Sequence, residues 1–565
     1  MLMNLVAWVI ITWYALCIGI LCKKGWKKIS GQDTQAIDLI LMMGICGINV
    51  FAQFFSIFYK VGAIANIILV LVSIVTMCIW RKDFFELRHV LKKKKWHFYL
   101  IVLILFVAML IIGSYKPTFY DTKLYHGQAI RWIEEYGIVK GLGVLHNRLA
   151  YNSAFMCLQA LFGYRYIFGV ELHSVNAFLT FVFLVWGIGT LKIWNEKKIG
   201  VSDVFKVLLV FFVAVIGREN ISSPNTDLFA LALIIYVFAK WTELIEEQNK
   251  KVESYVQLCF LLVYGITLKL SVAAVVVLAL YPFYLLIKEK KYRLIGCSIL
   301  IGIIILSPFL IRNVIISGYL VYPYAQIDLF DVDWKMPVSQ VVFDKEEIIV
   351  WGRKLKSVAK YEWGLQEWFP IWYAELTTLY KIIFIIGMGG IPLAIIRIVY
   401  EMIKRQELTK KLCMSVIYIS ELTTLQMWFF SSPDVRYGGV FMLLIPATLL
   451  GEMINWIKWS KVPKVMIGIV VMTLLVPMFI YVTDIKKYYI VPAEYKTFEV
   501  NECQIDGITF YYPAENDWTG YYNFPGITYV NRVSLIELRG DSLEDGFRMK
   551  DINVNIDTYG NIIEE

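Results

Sequence analysis

Asp121 begins the most polar stretch between the apolar segments of the chain, residues 119–137 (FYDTKLYHGQAIRWIEEYG). Apolar side chains recur there at helical spacing, which predicts an amphipathic helix that lies along a membrane interface and ends at Gly137. Asp is a favoured N-cap residue, so the Asp121 carboxylate could cap this helix, and it could equally face a substrate at the outer edge of a helix bundle. Arg131 has the i,i+4 spacing of a surface ion pair with Glu135. Tyr125, His126 and Arg131 are candidate substrate-binding residues.

A metal site in this stretch is conceivable from residue types alone. His126 and His146 could ligate a divalent metal together with Asp121, but nothing in their spacing requires one. The sequence therefore identifies no cofactor and leaves a divalent metal open.

A second polar cluster, residues 218–227 (RENISSPNTD), separates two apolar segments. A capped helix start at Asn225 or Thr226 would explain part of it. Glu219 and Asp227 remain as two carboxylates at a helix mouth. Glu219 is a candidate catalytic residue and Asp227 a candidate binding residue.

Three single cations interrupt otherwise apolar surroundings: Lys269, Arg312 and Arg436. Each could be an anchor that snorkels to the membrane surface. An ammonium or guanidinium is costly inside a membrane unless it is paired, however, and arginine matches phosphate oxygens with its planar fork. Together the three predict a site for a lipid phosphate or pyrophosphate at the outer leaflet.

The composition shows which kind of protein must position these residues. Of the 565 residues, 58% are hydrophobic and 18% are charged, whereas soluble domains run at roughly 45–50% and about 25%. A soluble enzyme is excluded. The net charge of +9 is spread over short runs between apolar segments, which is how membrane topology is encoded and not how a nucleic-acid surface is built. The sequence predicts an all-α polytopic membrane protein.

Apolar segments long enough to cross a bilayer number about fourteen. They are residues 2–22, 36–58, 61–80, 98–115, 172–194, 204–216, 228–241, 255–267, 272–287, 294–311, 379–400, 412–430, 440–457 and 465–482. Residues 154–170 are apolar too, but a span there would invert every later loop. They are interpreted as a re-entrant or interfacial helix.

The lysines and arginines give these spans an orientation. No basic residue precedes the first span and Lys23, Lys24, Lys27 and Lys28 follow it, which predicts an uncleaved anchor with its N-terminus outside. Alternate threading then places a basic cluster in every inward loop: residues 23–28, 81–95, 195–198, 243–251, 288–293, 401–411 and 458–464. This threading predicts a multi-pass cell-membrane protein in which residues 1–483 form the transmembrane domain and both chain termini lie outside the cytoplasm.

Three segments remain on the outer face. They are the first large loop (116–171), the second large loop (312–378) and the C-terminal domain (484–565). In the C-terminal domain Ile508 and Phe510 alternate with polar residues, and Pro513, Gly520 and Pro525 follow. Alternation with turn residues predicts a small β-rich extracytoplasmic domain.

These features resemble the GT-C superfamily of membrane glycosyltransferases, which includes protein mannosyltransferases and aminoarabinose transferases of the lipid A type. The similarity lies in Asp121 after an early helix, the Arg312-Asn run with Gly318 and Pro323, the sequence PDVRY before a late helix, and the outer C-terminal domain. More narrowly, YDT at 120–122, with the residues that follow it, and LHNRL at 145–149 are similar to a group of uncharacterised bacterial GT-C-like membrane proteins. The paired acidic motif of the family is reduced here to Asp121 followed by Thr122, so a metal requirement does not follow from the resemblance.

The resemblance implies transfer of a sugar from a polyprenyl-phosphate donor to a glycan, lipid or protein acceptor outside the cytoplasm. A phosphate leaves as a stable anion and needs no proton, so one carboxylate base suffices and the anomeric carbon inverts. Asp121 fits the base and Glu219 could orient the acceptor. Lys269, Arg312 and Arg436 are candidates for contact with the phosphate.

Two other functions remain open from the sequence. A polysaccharide polymerase or ligase of another fold would need the cations but no carboxylate in the first loop. A non-enzymatic flippase or transporter of lipid-linked sugars would need charges along a central path.

Overall fold

The computed structural model describes residues 1–34, 36–92, 95–191, 199–248, 251–405, 407–457 and 487–563. Its helices, in chain order, are α1 (Leu2–Ser30), α2 (Ile37–Ser56), α3 (Ala63–Ile79), α4 (Arg81–Lys92), α5 (Trp96–Ile112), α6 (Gly127–Tyr136), α7 (Leu142–Leu145), α8 (Ala154–Phe162), α9 (Arg165–Phe168), α10 (Val175–Gly189), α11 (Val201–Phe211), α12 (Thr226–Glu246), α13 (Val252–Leu268), α14 (Leu280–Lys288), α15 (Tyr292–Ser317), α16 (Val338–Gly352), α17 (Leu365–Glu375), α18 (Thr378–Ile403), α19 (Leu408–Ser431), α20 (Val435–Gly438) and α21 (Phe441–Ile457).

The predicted helical membrane architecture is confirmed in its coarse form. Within the described ranges, six helical segments are long and apolar enough to cross a membrane, namely α1, α2, α12, α15, α18 and the continuous stretch Leu270–Lys288. Four shorter apolar helices accompany them: α5, α10, α13 and α21. The predicted span 465–482 and the predicted inward loops 195–198 and 458–464 lie outside the described residues. Residues 154–170, predicted not to cross, contain the nine-residue helix α8, which is too short to span a bilayer.

Helices α1 and α2 pack backbone to backbone because glycines line their contact. A Cβ at Gly44 would lie 1.9 Å from the carbonyl oxygen of Ala15, and one at Gly19 would lie 2.1 Å from that of Ile40. Small residues permit such close approach of helices in a membrane, where lipid gives no hydrophobic drive for association. Helix α12 lies at the centre of the bundle, since 78% of the residues in its most apolar stretch are buried inside the protein.

The C-terminal segment contains a small sheet region, as the alternation predicts. Strands β1 (Val500–Ile505) and β2 (Ile508–Pro513) form an antiparallel hairpin. Their turn, Asp506-Gly507, has positive φ at both residues, 47° and 83°, which is the geometry that Asp-Gly favours in two-residue hairpins. A second antiparallel pair joins β3 (Ile536–Leu538) to β4 (Phe547–Met549).

The C-terminal segment is held on the first large loop by one buried amide. The Gln128 Nε2 group donates to the carbonyl oxygens of Gly520 and Asn523, both at 2.8 Å, and its Oε1 accepts from the Gly526 N–H at 3.0 Å. A buried amide with all its hydrogen bonds made fixes the two surfaces relative to each other.

Replacement of this amide tests the docking. Gln128→Leu leaves buried polar groups of the C-terminal segment without partners, at about 1–3 kcal/mol for each. We expect limited proteolysis to cleave residues 514–526 faster in this variant than in the wild-type chain. Gln504→Ala, an exposed position on β1, is the matched control. Equal cleavage of all three proteins would show that the amide does not hold the segment.

Candidate functional site

A cavity of about 760 Å³ lies where the two large loops meet the ends of four helices. Its wall is formed by the start of α12, the end of α13, the last part of α15 and the end of α19, together with residues of both loops. We call it the loop cavity. Aliphatic and aromatic side chains such as Met156, Ile266 and Phe309 share the wall with charged groups, so the cavity suits an amphiphilic ligand.

Two carboxylates and two cations form an ion network in this wall. Arg436 Nη1 lies 3.0 Å from Asp121 Oδ2, and Arg436 Nε lies 3.5 Å from Asp227 Oδ2. Lys269 Nζ pairs with the other oxygen of Asp227. Both carboxylate side chains are less than a tenth exposed. The four charges cancel, which is what a buried ionic group requires.

The side chains of the ion network are not used to cap helices, because other residues make the caps. Asn225 caps α12, its Oδ1 accepting from the N–H groups of Asp227 at 2.8 Å and Leu228 at 3.0 Å, so the capping expected near Asn225 is made by that residue and not by Asp227. Asp434 likewise caps α20 by accepting from the Arg436 N–H at 2.9 Å. Asp121 makes no side-chain cap. Lys269 lies at the break between α13 and the 3₁₀ segment Leu270–Ala279.

Aromatic rings enclose the two cations. The Arg436 guanidinium lies 5.3 Å from the ring centre of Phe119 and 4.8 Å from that of Tyr437. Lys269 Nζ lies 4.6 Å from the centre of the same Tyr437 ring. Cation–π contacts of this kind fix the cations while keeping them charged.

A polar and aromatic group of residues forms another part of the wall. The Asp344 carboxylate accepts from the Tyr151 hydroxyl at 2.8 and 2.9 Å, from the Tyr322 hydroxyl at 2.9 Å and from the Asn147 amide. Burial raises the pKa of Asp344, and these hydrogen bonds oppose that rise. Arg148, in the 3₁₀ turn Asn147–Ala150, lines the cavity beside them.

The structure brings together some of the residues singled out in the sequence. Asp121, Tyr125, Asp227, Lys269 and Arg436 all line the loop cavity. In the sequence, Arg148 stands out only as part of the motif LHNRL. Asp344 does not stand out, because it lies in the run FDKEE, whose charges are typical of a solvated surface.

Four predicted site residues lie outside the cavity lining. Arg312 is buried one layer behind it, where its Nε donates to Asn152 Oδ1 at 3.0 Å and its Nη1 donates to Ser56. The Glu219 side chain is 78% exposed and pairs with Arg218 at 3.8 Å. Arg131 pairs with Glu135 at 2.8 Å, as its spacing predicts.

The fourth, His126, is 1% exposed and stacks on Phe119. Burial lowers its pKa to about 4, so its imidazole is neutral at physiological pH. In the described ranges no three His, Cys, Asp or Glu side chains are grouped as metal ligands.

A pair of buried carboxyl groups, Glu134 of α6 and Glu171, lies where α6 meets the C-terminal segment. Glu134 accepts from the Tyr521 hydroxyl, and Glu171 is 2% exposed. Burial raises the pKa of both carboxyls, to about 7 for Glu134, and the repulsion between them adds to the rise at Glu171, while Arg131 opposes it.

The sequence model of the family described as a domain of unknown function, DUF8201, matches residues 1–443. The chain belongs to this family. The DUF8201 region contains the complete ion network, from Asp121 to Arg436, and ends before the C-terminal segment. No curated protein and no solved structure shows significant similarity to the chain.

The ion network is expected to stabilise the DUF8201 region. Asp227→Asn leaves Lys269 without its ion pair, and breaking a buried pair costs about 3–5 kcal/mol. We expect the free energy of unfolding in detergent to fall by about 3 kcal/mol. This is the lower end of the range, because water in the cavity can partly solvate the unpaired Lys269. Glu219→Gln makes the same chemical change at an exposed carboxylate and should stay within about 0.5 kcal/mol of wild type. An Asp227→Asn variant as stable as Glu219→Gln would contradict the network's structural role.

The raised pKa values of Glu134 and Glu171 predict a pH dependence. The folded state holds protons that the unfolded state, with ordinary carboxyl pKa values, releases, so stability is full near pH 4.5 and falls as the pH rises through about 7. We expect the loss to be on the order of 2 kcal/mol between pH 5 and pH 8, seen as a falling thermal unfolding midpoint. Glu171→Gln should flatten this profile, whereas Glu502→Gln on the exposed edge of β1 should not. A profile unchanged by Glu171→Gln would assign the pH dependence elsewhere.

Proposed function

We propose that this protein is a membrane glycosyltransferase that transfers a sugar from a polyprenyl-phosphate donor to an extracytoplasmic acceptor with inversion. The observation that carries the proposal is the state of the Asp121 carboxylate in the loop cavity. Its Oδ2 is held by Arg436 at 3.0 Å, and its Oδ1 accepts no hydrogen bond from any residue of the described chain. One oxygen is therefore fixed and the other is open to a ligand.

In the proposed reaction this open oxygen accepts a proton. The acceptor hydroxyl oxygen attacks the anomeric carbon from the face opposite the phosphate, and its proton passes to Asp121 Oδ1. The bond between the anomeric carbon and the phosphate oxygen breaks, and the phosphate leaves with the electron pair. No acid is needed because the leaving group is already a stable anion.

The ion network suits this chemistry because it orients the base. Arg436 bridges Asp121 and Asp227, and Lys269 completes the charge balance. A preorganised charge does not have to reorient as the transition state forms. Tyr125 lies in the same wall and is proposed to contact the substrate.

Residues outside the cavity lining have indirect roles or none in this proposal. Arg312 supports the wall by holding Asn152, whose Nδ2 donates to the Asn313 side chain at 3.0 Å. His126 supports the wall as a neutral packed ring. Glu219 and Arg131 are not part of the proposed reaction.

The proposed topology has about fourteen spans, with both termini, both large loops and the C-terminal domain on the extracytoplasmic side of the cell membrane. Its support is the basic clusters in alternate loops. The loops that carry Asp121, Asp227, Lys269 and Arg436 all meet at one cavity, as this threading requires.

Asp121→Asn tests the function directly. The amide keeps the shape of the side chain but cannot take the proton, and a general base contributes about 10²–10⁴-fold. We expect membranes with this variant to lose sugar transfer by at least about 100-fold and to accumulate the lipid-linked sugar, detected by mass spectrometry. Glu219→Gln should retain transfer, and both variants should express and insert normally. Only Asp121→Asn should have a lower unfolding midpoint, because it breaks the buried ion pair with Arg436.

Other results would favour the other two functions. Normal transfer by Asp121→Asn together with loss of transfer in Arg436→Ala would favour a polysaccharide polymerase or ligase. Movement of a lipid-linked sugar across the membrane with no glycosylated product would favour a flippase.

A further inference from the structure

Arg148 differs from Arg436, the other arginine that lines the loop cavity. It lies in the 3₁₀ turn Asn147–Ala150, which is fixed because the Arg148 N–H donates to His146 Nδ1 at 3.0 Å. Its side chain is half-buried and lines the cavity. The turn therefore presents a guanidinium to the cavity from a constrained backbone.

Three other cations of the cavity wall already have counter-ions. Lys269 and Arg436 are balanced by Asp227 and Asp121. Lys354 is paired with Asp434 at 2.7 Å. A ligand anion would have to compete with a carboxylate at each of these positions.

The Arg148 guanidinium, by contrast, forms no ion pair and no hydrogen bond with any residue in the part of the chain that the structure describes. The Asp344 carboxylate interacts with Arg148 electrostatically, but it accepts its hydrogen bonds from Tyr151, Tyr322 and Asn147. Arginine does not lose its proton in proteins. A permanent charge in a confined wall without a bonded anion is costly unless something else satisfies it.

We infer that Arg148 binds an anionic oxygen group of the substrate, either a phosphate or a carboxylate. Both present a pair of oxygen atoms that the planar guanidinium can bind with two parallel hydrogen bonds. This inference rests on the proposed function and deepens it. The anion would be the phosphate of the lipid carrier or the carboxylate of an acidic sugar, and it would lie within the field of the Asp121 base.

A binding experiment separates these sources. The full-length protein in nanodiscs is titrated with two matched pairs of probes, farnesyl phosphate with farnesol and glucuronate with glucose. Trp351 and Trp428 line the cavity, so their fluorescence reports occupancy. The proteins are wild type, Arg148→Ala, Arg148→Lys and Lys356→Ala, the last a matched loss of charge at an exposed position of the same cavity.

We expect Arg148→Ala to weaken one charged probe at least tenfold and Arg148→Lys to weaken it less. Farnesol and glucose should bind all four proteins equally, which shows that the cavity is intact, and Lys356→Ala should change affinity less than threefold. Loss of farnesyl phosphate binding identifies a carrier phosphate, and loss of glucuronate binding identifies an acidic sugar.

The inference is overturned if Arg148→Ala binds both charged probes within threefold of wild type, or if it loses the neutral probes to the same extent. It is also overturned if Lys356→Ala has the larger effect, or if wild type binds neither charged probe better than its neutral partner. These results leave the proposed function to be decided separately, because sugar transfer by Asp121→Asn does not depend on which residue holds the anion.

Discussion

The structure depends on the compensation of charge at the bundle edge. Asp121, Asp227, Lys269 and Arg436 come from four separate segments, and none of them could be buried alone. Because a lone buried ion is far more costly than a compensated one, these four segments must meet before any of the four side chains can leave water. The first large loop, the start of α12, the end of α13 and the turn before α21 are fixed in place by this requirement.

The same constraint explains how the loop cavity can be polar and still adjoin apolar helices. Capping is done by Asn225 and Asp434, so the carboxylates of Asp121 and Asp227 are not used to satisfy backbone groups. Two cations are held by carboxylates and an aromatic ring, Tyr437. The result is a wall with strong local fields and little net charge, which suits a ligand that carries both a polar headgroup and a hydrocarbon chain.

Those parts of the fold and of the site that depend on a local pattern could be predicted from the sequence. Apolar segments predicted a helical membrane protein, the alternation around Ile508 and Phe510 predicted the small sheet region, and residue type predicted the capping near Asn225. The shared position of Asp121, Lys269 and Arg436 followed from the alternation of basic loops. What could not be predicted is which partner each charge takes, because an ion pair between residues 121 and 436 is decided by tertiary packing.

Arg312 and Asp344 show that limit from opposite sides. Arg312 looked like a ligand for phosphate, yet the rotation of α15 turns it towards Asn152 and Ser56. Asp344 did not stand out in the sequence, yet α16 places it beside two tyrosine hydroxyls in the cavity wall. The packing of a helix against neighbouring elements determines whether a given residue faces the core or a cavity, and the sequence of the helix alone does not.

The C-terminal segment is anchored to both large loops at once. It binds Gln128 of the first loop, and its Thr558 hydroxyl donates to Glu347 of the second at 3.0 Å. The Tyr120 hydroxyl, at the rim of the cavity, donates to Asp517 at 2.7–2.8 Å. The segment thus links the two walls of the cavity. If the loops move apart and the entrance widens, the segment must lose its hydrogen bonds to one of them. The width of the entrance and the docking of the C-terminal segment are therefore coupled.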